Sequence, residues 1–148
     1  MTTKTFLFDA GPRDTRSSIA LLVTRLAFGG MMLFGHGISK LGIPDKVISN
    51  WPKPFYISFL SEEAAYWLTI IAEIGFAGLI ILGFATRLSA TILCILMATA
   101  AFIINAEAAF FYKPGIEASK ELAVLYLVGY FIILIAGAGK FSIDGTKK

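Results

Sequence analysis

The hydrophobic positions of this chain fall into long uninterrupted runs. Apolar stretches cover residues 17–38, 64–85, 88–106 and 122–139, and a helix needs about 20 such residues to cross roughly 30 Å of hydrocarbon. Runs such as Leu79-Ile80-Ile81-Leu82 would suit buried strands, but the length of each stretch and the lack of turn residues inside it predict helices. Only Thr86 and Arg87 separate the second and third stretches, so these two are expected to form a tight antiparallel hairpin. Residues 39–63 hold Pro44, Pro52 and Pro54 among Trp51, Phe55 and Tyr56, which predicts an interfacial loop whose Phe55 to Leu60 portion lies flat on the bilayer. Pro114 and Gly115 break the last connection.

Composition supports the same class. Of 148 residues, 57% are hydrophobic and 16% charged, with a mean hydropathy of +0.76; a soluble domain of this size carries about 25% charged residues. The reading is an all-α integral membrane four-helix bundle in a single domain, residues 1–148. The first stretch carries Arg25 and lacks a small-x-small exit, so it is expected to stay as a helix and not to be cleaved as a signal peptide. With the N-terminus inside, Lys4, Arg13, Arg16, Arg87, Lys140, Lys147 and Lys148 are cytoplasmic, against Lys40, Lys46, Lys53, Lys113 and Lys120 outside, which favours N-in, C-in. The basic residues are scattered, so membrane orientation explains them better than nucleic-acid binding.

Candidate chemistry is confined to a few positions. One Cys, Cys94, and one His, His36, cannot build a disulfide, a CxxC redox pair, a thiolate-held iron–sulfur cluster or a bis-histidine haem within the chain. Cys94, in mid-span, is expected to pack as a small apolar residue. Depth counting at 1.5 Å per residue puts Arg25 about 12 Å from the inner edge and Glu73 about 13.5 Å from the outer edge, which predicts an Arg25–Glu73 ion pair near the midplane. Such a pair either fixes helix register or forms part of a site in which Glu73 exchanges a proton, as oxidation of a quinol requires. His36 falls about 28 Å along the first helix, level with Lys40, Glu107 and Glu121, and these four define a polar mouth at the outer interface. No ligand spacing among them is diagnostic of a metal site, and none is assigned. Tyr126, Tyr130 and Phe131, with Phe28 and Phe34, either line an aromatic slot for a quinone ring or make up bundle core. Glycines 29, 30, 35, 37, 75, 78 and 83 are expected to serve helix packing, and Arg25-Leu26 and Arg87-Leu88 hint at a twofold repeat.

Four motifs carry a family resemblance: Arg25-Leu26-Ala27-Phe28-Gly29-Gly30; Gly35-His36-Gly37-Ile38-Ser39-Lys40-Leu41-Gly42; the run from Glu73-Ile74-Gly75 to Gly83-Phe84-Ala85-Thr86-Arg87-Leu88; and Gly139-Lys140-Phe141-Ser142-Ile143-Asp144. Together they resemble the DoxX family, from Thr24 to Asp144. That resemblance implies a small four-helix protein of the bacterial inner membrane, related to subunits of quinone-linked oxidoreductases acting on reduced sulfur compounds and to anchors of oxidative-stress complexes. Arg25, His36, Gly37, Lys40, Glu73, Gly83 and Arg87 match its recurring polar and glycine positions, while Asn105 and Glu107 stand where the family often has a histidine.

Three functions are open at this stage. The first is a quinone-interacting subunit of a membrane oxidoreductase, with Glu73, Arg25 and His36 as catalytic groups and Lys40, Glu121, Tyr126 and Tyr130 as quinone-binding groups. The second is a non-catalytic anchor or assembly subunit that docks other membrane subunits or further copies of itself. The third is a carrier for a small anion or sulfur compound, with Arg25 as the binding charge.

Overall fold

The computed structural model describes residues 9–11, 14–43, 45–115 and 118–146. Lys4, Arg13, Pro44, Glu117, Lys147 and Lys148 lie outside the described residues. Apart from one isolated bridge, Ala109 to Ser119, the regular structure among the described residues is helical.

Three helices are long and apolar enough to cross a membrane: α1 (Thr15–Gly42), α2 (Glu62–Leu82) and α3 (Thr86–Ile104). A shorter apolar helix, α4 (Glu121–Ala136), completes the bundle. The ends are set by local chemistry. Asp14 caps α1 by accepting from the Ser17 amide at 2.9 Å, and Ser61 caps α2 by accepting from Ala64 at 3.1 Å. Glu62 and Glu63 occupy the first turn of α2, where carboxylates complement the helix dipole. At the other end of α2, Gly83 adopts φ +67°, with Gly83 N bonded to Ile80 O and Phe84 N to Leu79 O. This is a Schellman ending, which favours glycine because a side chain is strained at positive φ.

The predicted hairpin is present, but its turn lies at residues 83–85; Thr86 and Arg87 are already the first turn of α3. Likewise α1 continues through Lys40 to Gly42, four residues past the predicted end. The intervening loop holds a one-turn helix, Asp45–Ile48, and a 3-10 turn, Phe55–Ile57, where the sequence suggested a longer surface piece.

Helices adjacent in sequence are adjacent in space, and α4 closes the ring against α1, with the closest packing between α3 and α4. The core contains Met32, Ala77, Ile80, Leu93, Met97, Tyr126, Tyr130 and Ile133. Outside it, Val23, Phe34, Ile71, Ile95, Leu125, Phe131 and Ile135 are exposed on all four helices. An apolar coat of this kind is stable against acyl chains and would be a liability in water. The segments flanking the bundle, Asp9 to Gly11 and Gly137 to Thr146, meet at the end occupied by the α2–α3 turn: Gly139 N donates to Ala10 O at 2.7 Å, and Arg87 bonds Asp9.

Candidate functional site: an apolar cleft with a buried ion pair

Each of α1, α2 and α3 leaves regular α geometry at one place. The π-helical stretches are Met31–Gly37, Ala72–Phe76 and Ala100–Ile104. They hold His36, Glu73 and two of the α3 residues that line the cleft described below. A widened turn re-aims side chains, and such bulges recur at functional positions.

The expected Arg25–Glu73 pair does not form. Glu73 instead binds Lys40, whose Nζ lies 2.5 Å and 2.6 Å from its two carboxylate oxygens. Helix register explains the difference. Gly37 lets the α1 backbone approach α2 so closely that a Cβ there would lie 2.7 Å from Ile74 Cγ1 and 3.3 Å from Ile74 N, which puts Glu73 level with Gly37. Arg25 meets α2 eight residues further along, about 12 Å away. There its Nη1 donates to Ile80 O and Ile81 O, and its Nη2 to Phe141 O. Asp144 supplies the opposite charge. Through its two Nη groups the guanidinium therefore closes the carbonyl end of α2 and holds the C-terminal segment, while its buried Nε has no hydrogen-bond partner among the described residues.

Lys40 is held from several sides. Its own carbonyl accepts from Tyr66 Oη at 2.6 Å, and its ammonium sits over the Trp51 ring at 5.8 Å from the centroid. Trp51 in turn meets Tyr66 edge to face. The Glu73 side chain is 5% exposed and that of Lys40 22%. Opposite charges at this depth neutralise each other, which is the usual condition for an ionisable group inside a membrane.

The pair forms part of the wall of a cleft of about 340 Å³ between α2 and α3. Leu68, Ile71, Phe76, Ile92, Leu96 and Met97 are among the apolar side chains of α2 and α3 that line it, together with Trp51, Pro52, Pro54 and Tyr56 of the loop. Leu68, Ile71 and Ile95 are also exposed on the outer surface of the bundle, so the cleft opens toward the lipid-facing side. Small-molecule pockets typically have this character, mostly apolar with a few placed polar groups.

The other proposed site residues are divided between this region and elsewhere. His36 stacks edge to face on Tyr126 at 5.3 Å and lies within electrostatic reach of Lys40 and Glu73, without lining the cleft. Tyr126 and Tyr130 are buried core. They pack against each other and against Phe28, with Tyr130 Oη donating to Phe28 O at 3.2 Å, so the aromatic slot is filled by its own rings. Phe34 and Phe131 face outward. Glu121 accepts from the Tyr112 amide at 2.8 Å and Glu107 is exposed; neither joins His36 and Lys40, so the predicted four-residue mouth is not assembled. Cys94 is half-buried beside Leu127 O, in keeping with a packing role.

Two lining residues escaped sequence reasoning, Tyr56 and Thr99, whose hydroxyls bond each other. No local motif marks either. The Lys40–Glu73 pair was more accessible, because the apolar run of α1 extends through Leu41 and so carries Lys40 within the helix.

An apolar-coated bundle of this kind, with a neutralised ion pair inside, defines a multi-pass membrane protein. The chain belongs to the DoxX family, whose model matches residues 20–106, more than half of its length. The cleft, lined between residues 40 and 104, lies wholly within the matched region. The chain is also similar to an uncharacterized protein of Haemophilus influenzae, 28% identical over 135 residues, covering 89% of this chain and 85% of the relative. No solved structure matches it.

Proposed function

We propose that the protein is a quinone-interacting subunit of an oxidoreductase complex in the cell inner membrane, with both termini on the cytoplasmic side. The observation that carries this reading is the Lys40–Glu73 pair on the wall of an apolar cleft open to the lipid-facing surface. A quinone head enters such a cleft from the bilayer without crossing water. Lys40 Nζ has three donor hydrogens and serves a ring oxygen with one directed away from Glu73. Glu73 takes up or returns one of the two protons that accompany the two-electron change, the other being exchanged with water at the membrane surface, and His36 lies near enough to bias Glu73 electrostatically. The quinone supplies the two-electron chemistry. The chain's one Cys and one His do not build an electron acceptor, so the electrons pass to or from a metal, flavin or thiol centre on a partner subunit.

The anchor reading retains one specific support. Glycines 30, 35, 75 and 78 of α1 and α2 have open space where a Cβ would stand, leaving smooth outer surfaces for another helix. The two readings are compatible, since a quinone subunit must also dock its electron-carrying partner.

Purification from the native membrane in mild detergent, with mass spectrometry of extracted lipids and co-purifying proteins, tests the proposal. The expected result is a quinone and a redox subunit in the wild-type preparation, with the quinone lost from Glu73→Gln. A preparation containing neither overturns it.

A further inference from the structure

We infer that Tyr56 and Thr99 form a second polar pole of the cleft, and that the site thereby selects a ring carrying oxygens at two opposite ends. This rests on the quinone reading and specifies the ligand class for the same site. The hydroxyls concerned are bonded to each other, one from the loop that lines the cleft and one from α3. Threonine hydroxyls inside helices normally donate to the carbonyl four residues back. Thr24, Thr69 and Thr91 all do so here, to Ala20, Ala65 and Arg87. Thr69 also lines the cleft, so its donor is already used. Thr99 departs from this pattern at the entrance to the π-helical stretch Ala100–Ile104 and turns its hydroxyl to Tyr56.

Two hydroxyls in one hydrogen bond share a single hydrogen. The hydrogen of the accepting hydroxyl is therefore available to a ligand oxygen, as are the remaining lone pairs of both. The loop that carries Tyr56 is closed on itself by Lys53, which binds both Leu60 O and Glu62, and the partly exposed Tyr56 ring meets Phe55 edge to face. The cleft thus offers an ammonium–carboxylate pair from α1 and α2 and a hydroxyl pair from the loop and α3, with an apolar surface around them. A lipophile with one polar end satisfies the first pair only. A ring with oxygens at both ends satisfies both, and at about 340 Å³ the cleft suits a single substituted ring.

The test uses the full chain in lipid nanodiscs with two probes, a decyl-substituted hydroquinone and the matching decyl phenol that lacks the second oxygen, titrated by calorimetry. Wild type is expected to bind the hydroquinone about 5- to 10-fold more tightly, the ratio a single hydrogen bond supports. Tyr56→Phe and Thr99→Val are each expected to reduce that ratio to about 2-fold or less while leaving the phenol affinity unchanged, and Thr99→Ser to restore it. Unchanged preference in both variants overturns the inference and leaves the quinone reading standing. Failure of wild type to bind either probe overturns both. Elution profile and thermal unfolding identify a misfolded variant, and Thr99→Ser then decides: a lost preference in that folded variant also counts against the inference.

Discussion

Asp144 reaches back to Thr86 across almost the whole second half of the chain and receives both its amide and its hydroxyl at 2.9 Å. It also accepts from Ala85 N at 3.1 Å, while its own amide donates to Gly83 O at 2.9 Å. The first turn of α3 has no capping side chain of its own, and Ala85 before it sits at φ +46°, an unfavourable conformation for a residue with a Cβ. A fully buried carboxylate from the C-terminal segment thus does the work of a local cap and fixes a strained turn.

Asp144→Ala is therefore expected to destabilise the protein by about 2–3 kcal/mol, because charge-assisted bonds are lost and Arg25 loses its opposite charge. Thr86→Val removes one neutral bond from the same cluster and is expected to cost about 1 kcal/mol. Thermal and denaturant unfolding in one detergent measure both. Equal losses in the two variants would show that the carboxylate has no special part in the turn.

For the Lys40–Glu73 pair the expected pattern is non-additive. Lys40→Met or Glu73→Gln alone strands a poorly hydrated group and is expected to cost about 3 kcal/mol or more. The double variant is expected to lose less stability than either single one. A double-variant cycle read by thermal unfolding checks this, and simple addition of the two losses would argue against a coupled pair.

Glycine substitutions separate inner from outer helix faces. Gly37→Ala pushes a Cβ against Ile74 and is expected to loosen the α1–α2 contact and weaken quinone binding by displacing Lys40. Gly75→Leu and Gly78→Leu, with open space around them, are expected to shift the free protein's melting temperature by no more than about 2 °C. If these outer glycines dock another helix, the same variants lose co-purifying subunits. Retention of all partners by both would remove the support they give to the anchor reading.

The cap of α1 carries a pH dependence. The Ser17 amide holds the exposed Asp14 carboxyl below the usual carboxylate range, aided by the Ser17 side chain. A carboxylate with a depressed folded value stabilises the folded form above its unfolded value, and this contribution disappears as pH falls through the folded value. Protection of the Ser17 amide from hydrogen exchange, corrected for the intrinsic rate, is expected to decline only at strongly acid pH. Asp14→Asn keeps a side-chain acceptor and is expected to remove that decline.

How much of this the sequence made legible depends on which interactions are local. The apolar helices and the hairpin follow from hydropathy and turn residues, and their ends lie within a few positions of those expected. The partner of Glu73 did not follow, because depth counting assumed that both helices begin at the membrane edge. Close contact at Gly37 and the extension of α1 past Lys40 shift the register by about two turns. The partners of Arg25 were hidden for a similar reason, since Ile80 O, Ile81 O and Phe141 O are backbone carbonyls from distant segments. No side-chain pattern announces such partners. Tyr126 and Tyr130 had the composition of a ring-binding slot and the spacing of a core, and the geometry realises the core.

The position of Asp144 bears on how the chain is made. Membrane spans are inserted in order as translation proceeds, yet the group that completes the first turn of α3 lies beyond α4, in a segment also gripped by Arg25 of α1. The three earlier helices can enter the bilayer first, but the bonds that Phe141 makes to Arg25 and Asp144 makes to the α2–α3 turn form only once residues 139–144 have left the ribosome. A stop codon just before them would leave all four helices encoded but remove the contacts that tie α1 and the α2–α3 turn to the C-terminal segment.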